Sequence, residues 1–182
     1  MTNSMPEIVN NDLLFVIGSN TTETHPIIGL KMKKAFRRGA KLIVADPRRI
    51  DLVKFADLWL QQRPGTDVAL LNSLMHVILR ESLEDSEFIR NHTEGFEDFR
   101  ASLAEFTPEV GEKITGVPKE KIREAALMYA NADRAGIYYT MGMTQHTHGT
   151  DNVYSIANLA LMTGHLGKES VGVNPLRGQN NV

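Results

Sequence analysis

The sequence contains no cysteine. That absence excludes disulfides, zinc ribbons and iron–sulfur ligation by these residues, and it fits a reducing compartment. Long apolar runs are also missing. The longest are far shorter than the roughly 20 residues a bilayer-spanning helix needs, so no membrane segment is expected. Charge of one sign is scarce as well: 20 Lys and Arg stand against 22 Asp and Glu. The formal net charge of -2 gives no general pull toward nucleic acid or an anionic membrane. Residues 1–11 include Glu7 and lack the basic, apolar, then small-residue order of a secretory signal, so a cytoplasmic chain is expected, or a periplasmic one if a signal precedes Met1. No internal repeat or low-complexity tract is present. The 182 residues, 42% hydrophobic, can bury a sizeable core, and a single α/β domain over 1–182 is expected.

Leu13-Leu14-Phe15-Val16-Ile17 is a continuous apolar run ending at Gly18, the pattern of a strand buried on both faces of a parallel sheet. Pro26 opens an amphipathic helix that Gly39 stops, and Lys41-Leu42-Ile43-Val44-Ala45 is a second strand, giving a βαβ unit. A short third strand is expected over 57–60 and a helix over 67–82 with Thr66 as its N-cap. Residues 84–118 are acidic and broken by Gly and Pro, which predicts a small helical insertion. A helix over 119–131, a strand over 136–140 and a helix over 152–164 follow. The closing stretch Gly172-Val173-Asn174-Pro175-Leu176-Arg177-Gly178-Gln179-Asn180-Asn181-Val182 has neither helix nor strand periodicity. Its glycines, amides and single arginine suit a binding site, because a guanidinium can hold a small carboxylate in a bidentate grip.

Ligands of open parallel sheets bind beyond the carboxyl ends of the strands. The residues just after each run are therefore the candidates, and they are unusually polar: Gly18 to His25, Asp46-Pro47-Arg48, Arg63-Pro64-Gly65-Thr66-Asp67, and Met141-Gly142-Met143-Thr144-Gln145. Together they look like a nucleotide cradle. Asp46 is placed to accept hydrogen bonds from ribose hydroxyls, although its interval from Gly18 exceeds the usual dinucleotide spacing of about 20. Arg48 suits a phosphate or a purine face. The bland alternative is that Asp46 caps a turn before Pro47 and Arg48 merely pairs with it. Gly18-Ser19-Asn20 lacks the full Gly-x-Gly-x-x-Gly, so an ordinary nicotinamide site is weakly supported.

Other features carry less. His146-Thr147-His148 has no third ligand nearby in sequence and makes a poor metal site, so no metal ligand is assigned. His76 and His165 suit capping or core filling. The basic cluster Lys31, Lys33, Lys34, Arg37, Arg38 and Lys41 reads as a solvated face without the aromatic interleaving of a nucleic-acid surface.

The segments Val16 to Pro26, Val44-Ala45-Asp46-Pro47-Arg48, Met141 to Gln145 and Gly172 to Val182 resemble the large, catalytic subunit of molybdopterin-dependent formate dehydrogenases, within the molybdopterin oxidoreductase superfamily. The resemblance runs along essentially the whole chain, which would be a central fragment of that subunit; even Met1-Thr2-Asn3-Ser4 is similar to the segment just beyond the family's metal-ligating cysteine or selenocysteine. It implies an α/β fold, a Rossmann-like parallel sheet flanked by helices, cradling a molybdopterin guanine dinucleotide that carries molybdenum or tungsten. By this resemblance Gly18, Asn20, Glu23 and Thr24 contact the pyrophosphate and pterin side, Asp46 and Arg48 the guanosine, Gly65 and Asp67 the guanine end. Met141, Gly142 and Gln145 would lie against the pterin. Arg177 would hold formate and Gln179 would line its pocket. The implied partners are formate, the remainder of the catalytic subunit and electron-transfer subunits. The metal-ligating residue and the iron–sulfur cysteines belong to other parts of such a subunit, so no turnover is expected from this chain alone. The alternative is a stand-alone guanine-nucleotide-binding or regulatory α/β module without catalysis.

Overall fold

The structure is a computed structural model that describes residues 1–177. Five parallel strands form its sheet among these residues: β1 (Leu13–Ile17), β2 (Lys41–Ala45), β3 (Leu58–Leu60), β4 (Ala135–Tyr139) and β5 (Gly172–Pro175), in the order β3-β2-β1-β4-β5. The register is continuous, with Leu13 opposite Lys41 on one side and Ala135 on the other. β1 and β4 are buried at every position, as strands covered on both faces should be.

Helices cover both faces. On one lie α2 (Pro26–Arg37) and a 3-10 helix, Met5–Asn10, whose Ile8 packs with Leu14, Val16, Met32 and Tyr138. On the other lie α3 (Asp67–Arg80), α7 (Lys119–Ala130) and α9 (Gly149–Met162), which bury Leu70, Ile122 and Ile156 against Phe15 and Ile137. A single turn, α1 (Thr21–Thr24), precedes α2, and another, α8 (Met141–Thr144), precedes α9. Between α3 and α7 run three short helices, α4 (Ser86–His92), α5 (Phe96–Ser102) and α6 (Pro108–Thr115), in the stretch where Gly and Pro predicted them.

Three local expectations need correction. The closing stretch contains a strand after all: Gly172–Pro175 pairs with β4, Gly136 opposite Gly172. A four-residue edge strand is too short to show alternation, and its Gly and Pro disguise it. Thr66 stands at the N-cap of α3, but its hydroxyl donates to the Arg63 carbonyl (2.7 Å) and makes no cap bond to the helix. The Met5–Asn10 helix was not expected; its signal was Ser4 three residues before Glu7, a capping box.

Candidate functional site: a cavity at the switch point

The strand order turns at β1 and β4, whose connections leave toward opposite faces of the sheet. In such sheets the crevice beyond the carboxyl ends of these two strands is the natural binding place. Here it is a cavity of about 260 Å³, walled by Gly18, Asn20 and Thr24 after β1, Asp46, Pro47 and Arg48 after β2, Gln62, Pro64 and Asp67 after β3, and Thr140, Met141, Gly142 and His146 after β4.

Gly18 and Gly142 let the two central loops touch. The Gly18 carbonyl accepts from the Gly142 amide (3.1 Å) and the Thr140 hydroxyl (2.8 Å). A Cβ on Gly18 would stand 2.7 Å from the Gly142 carbonyl carbon, and one on Gly142 would collide with the Gly18 carbonyl oxygen. Gly18 also has φ of 56°, which favours glycine. The two loops thus pack backbone to backbone beside the cavity, and that contact is what the glycines permit. His146, at the far end of this loop, is fixed by its Nε2 donating to the Gly142 carbonyl (2.8 Å).

Asp46 is buried, and its Oδ1 accepts the Arg48 amide at 2.8 Å, with Arg48 Nε 3.8 Å away. The turn-capping alternative is therefore realised, and the residue stands in the cavity wall as well. Burial pushes its carboxyl above the ordinary value, the Arg48 amide and guanidinium oppose that shift, and the charge of Asp67 adds to it. Asp67, also buried, opens α3, where the helix dipole favours an acid, and accepts from Gln62 Nε2 (3.1 Å). Because a carboxylate only accepts, that bond fixes the Gln62 amide with its oxygen turned away. This Oε1 is buried without a hydrogen-bond partner, an acceptor the fold leaves unused.

Eight of the residues singled out from sequence, Gly18, Asn20, Thr24, Asp46, Arg48, Asp67, Met141 and Gly142, meet in this one cavity. Glu23, Gly65 and Gln145 are exposed beyond its walls. Arg177 follows β5 outside the cavity, with its carbonyl accepting from His25 Nε2 (3.4 Å) on the β1 loop. Its charge reaches Tyr139, whose phenol is raised by burial and partly lowered again by Arg177. Gln179 lies outside the described residues. Sequence reasoning missed Gln62, Thr140 and His146. Gln62 and Thr140 stand two and one places past a strand end, the position the other candidates share, and His146 is weighed in the sequence only as a metal ligand.

Two of the remaining histidines are held by backbone carbonyls. His76 Nδ1 donates to the Leu103 carbonyl and buried His165 Nε2 to that of Tyr129. Among the described residues no group of three His, Cys, Asp or Glu could hold a metal ion, and no helix is long and apolar enough to cross a membrane.

Fold and cavity together define the class: a doubly wound α/β protein with a carboxylate-walled cavity at its switch point. Comparison with known proteins narrows this. The family model of molybdopterin oxidoreductases matches residues 1–181, and the chain belongs to that family. It is 53% identical over 182 residues to the F420-dependent formate dehydrogenase subunit alpha of Methanocaldococcus jannaschii, covering all of this chain and 27% of that protein. With formate dehydrogenase H of Escherichia coli it shares 48% over 182 residues, covering all of this chain and 26% of that one. Among solved structures, the acetylene hydratase from Pelobacter acetylenicus superposes with a TM-score of 0.83 at 32% identity, over 88% of this chain and 22% of the other. The chain thus spans about a quarter of the length of these relatives. The resemblance read from the strand-end motifs is borne out.

Proposed function

We propose that this chain forms part of the bed for a molybdopterin guanine dinucleotide in the catalytic subunit of a formate dehydrogenase. The observation that supports this best is the convergence of loops from four strands on one cavity with two buried carboxylates, Asp46 and Asp67. The donor set fits the nucleotide. Asp46 suits ribose hydroxyls, while the Asp67 carboxylate and the unused Gln62 Oε1 offer acceptors to the N–H groups of a guanine. Gly18 and Gly142 both line the cavity and bring backbone rather than side chains to its wall, as a pyrophosphate or pterin suits.

In this reading Gly18, Asn20, Glu23 and Thr24 hold the pyrophosphate and pterin side, Arg48 joins Asp46 at the guanosine, and Gly65 borders the guanine. Met141, Gly142 and Gln145 lie against the pterin. When bound, the cofactor would supply a molybdenum or tungsten centre able to accept the two electrons released as formate becomes carbon dioxide and a proton. Arg177 neutralises and orients the formate carboxylate, with Gln179 beside it. The remainder of the catalytic subunit, electron-transfer subunits and a cytoplasmic setting complete the reading.

Two measurements test it. Calorimetry on the 182-residue chain is expected to show GDP binding more tightly than NAD; tighter NAD binding would overturn the guanine assignment. In the complete subunit, Arg177→Ala is expected to raise KM for formate and lower turnover. Unchanged kinetics would remove Arg177 from its role.

A further inference from the structure

A second polar network lies away from the cavity, where residues 2–11 pack on the β4–β5 side of the sheet. Glu7 is its centre. Its Oε1 accepts from the Ser4 amide (2.8 Å) and hydroxyl (2.7 Å), and its Oε2 from the Ser170 amide (2.8 Å) and Asn3 Nδ2 (3.0 Å). Asn3 Nδ2 also donates to the Lys168 carbonyl (2.9 Å). Asn11 bridges the strands below: its Nδ2 donates to the Ser170 carbonyl (2.5 Å) and its Oδ1 accepts from the Tyr138 hydroxyl (2.5 Å).

Thr2 acts on β5 directly. Its amide donates to the Val173 carbonyl (3.1 Å) and its hydroxyl accepts from the Val173 amide (3.0 Å). The outward N–H and C=O of Val173, which an edge strand otherwise leaves open, are both used. The fit is close: a Cβ on Gly172 would run into Thr2 Oγ1 and approach Asn3 Oδ1 to 2.6 Å.

β5 depends on this support. It has four residues, starts with a glycine and ends with a proline that cannot donate to a ladder. The contact is polar, and the buried Ser170 Oγ and Asn174 Oδ1 near it have no hydrogen-bond partner. Such an interface specifies register better than it adheres. Leu176 and Arg177 follow at once, the Leu176 amide donating to the Tyr139 carbonyl at 2.8 Å. Any shift of β5 therefore moves Arg177 against the rim.

We propose that Glu7 and Thr2 are positioning residues for Arg177, holding β5 in register so that the guanidinium stands at a fixed place beside the cavity. The inference rests on the reading of Arg177 as the formate-orienting group. It assigns a task to a segment that lines no wall of the cavity.

The test uses the complete subunit carrying Glu7→Gln, Thr2→Val or, as the conservative control, Thr2→Ser. Hydrogen exchange of the 168–177 peptide and steady-state kinetics with formate are measured together, with melting temperature reporting on folding. Glu7→Gln and Thr2→Val are expected to speed exchange in that peptide and raise KM roughly tenfold, since a misplacement near 1 Å can cost up to about a hundredfold. Thr2→Ser is expected to keep wild-type behaviour. Exchange unchanged in Glu7→Gln and Thr2→Val overturns the clamp. Faster exchange with KM unchanged overturns the positioning role, provided Arg177→Ala does raise KM. If Arg177→Ala has no effect on formate kinetics, the formate reading fails, and exchange alone then decides whether the clamp exists.

Discussion

Asp46 shows how one side chain can serve structure and binding with different atoms. Its Oδ1 caps the Pro47 turn through the Arg48 amide, while burial raises the carboxyl above its ordinary value, so the charged form is costlier in the folded chain than in the unfolded one. Asp46→Asn keeps an acceptor for Arg48 and removes the desolvated charge. The variant is expected to melt no lower than wild type at pH 7, while binding GDP about tenfold more weakly, as a lost charged hydrogen bond implies. Differential scanning calorimetry and titration calorimetry on the same sample check both. Gln62 makes the complementary case. Gln62→Leu removes a buried acceptor that has no partner but also deprives Asp67 of its donor, so stability is expected to change by less than about 1 kcal/mol while the preference for GDP over ADP shrinks. Asp46 and Asp67 were legible in the sequence because each directly follows an apolar run or opens a helix. Gln62 was not, since nothing in Gln61-Gln62 says which amide turns inward. His146 is weighed in the sequence only with His148 as a metal pair, whereas its contact is with the Gly142 backbone.

At the scale of elements, the loops after β1 and β4 act as one unit. They share the Gly18 carbonyl, and neither glycine has room for a methyl group. Gly142→Ala is expected to cost about 1–3 kcal/mol, the range for forcing an extra carbon into a packed contact, and to weaken GDP binding as well. Chemical denaturation followed by calorimetry checks this, and wild-type stability would show that the loops can separate. The strands and long helices were readable because unbroken apolar runs and 3.6-residue spacing survive any tertiary context. Short elements were not. β5 and the Met5–Asn10 helix owe their conformation to each other and to β4, and a pattern of four to six residues carries too little information to announce them.

For the whole molecule, His165 and Glu7 are two of the groups that shape the acid side of stability. His165 is lowered from its ordinary 6.5, chiefly by burial, so the unfolded chain takes up a proton that the folded chain resists. Stability is therefore complete above about that value and declines as pH falls through it. Glu7 is lowered from 4.5 to about 2, first by the Asn3 side chain and then by the Ser170 amide. Its contribution is present above 4.5 and is lost as pH falls toward about 2. Melting temperature against pH is expected to show a first decline below 6.5 that His165→Gln flattens, and a second below 4.5 that Glu7→Gln flattens. A profile level from 7 to 4 in the wild-type chain would contradict the burial assigned to His165.

The contact between Asn3 and Lys168 spans 165 positions along the polypeptide. A ribosome delivers residues 2–11 well before 168–174, so while the intervening chain is being made Glu7 has its local partners Ser4 and Asn3 but lacks Ser170, and the Thr2 amide lacks Val173. The nascent sheet must therefore assemble around β1 with one flank unfinished, and the segment made early is secured only when β5 arrives.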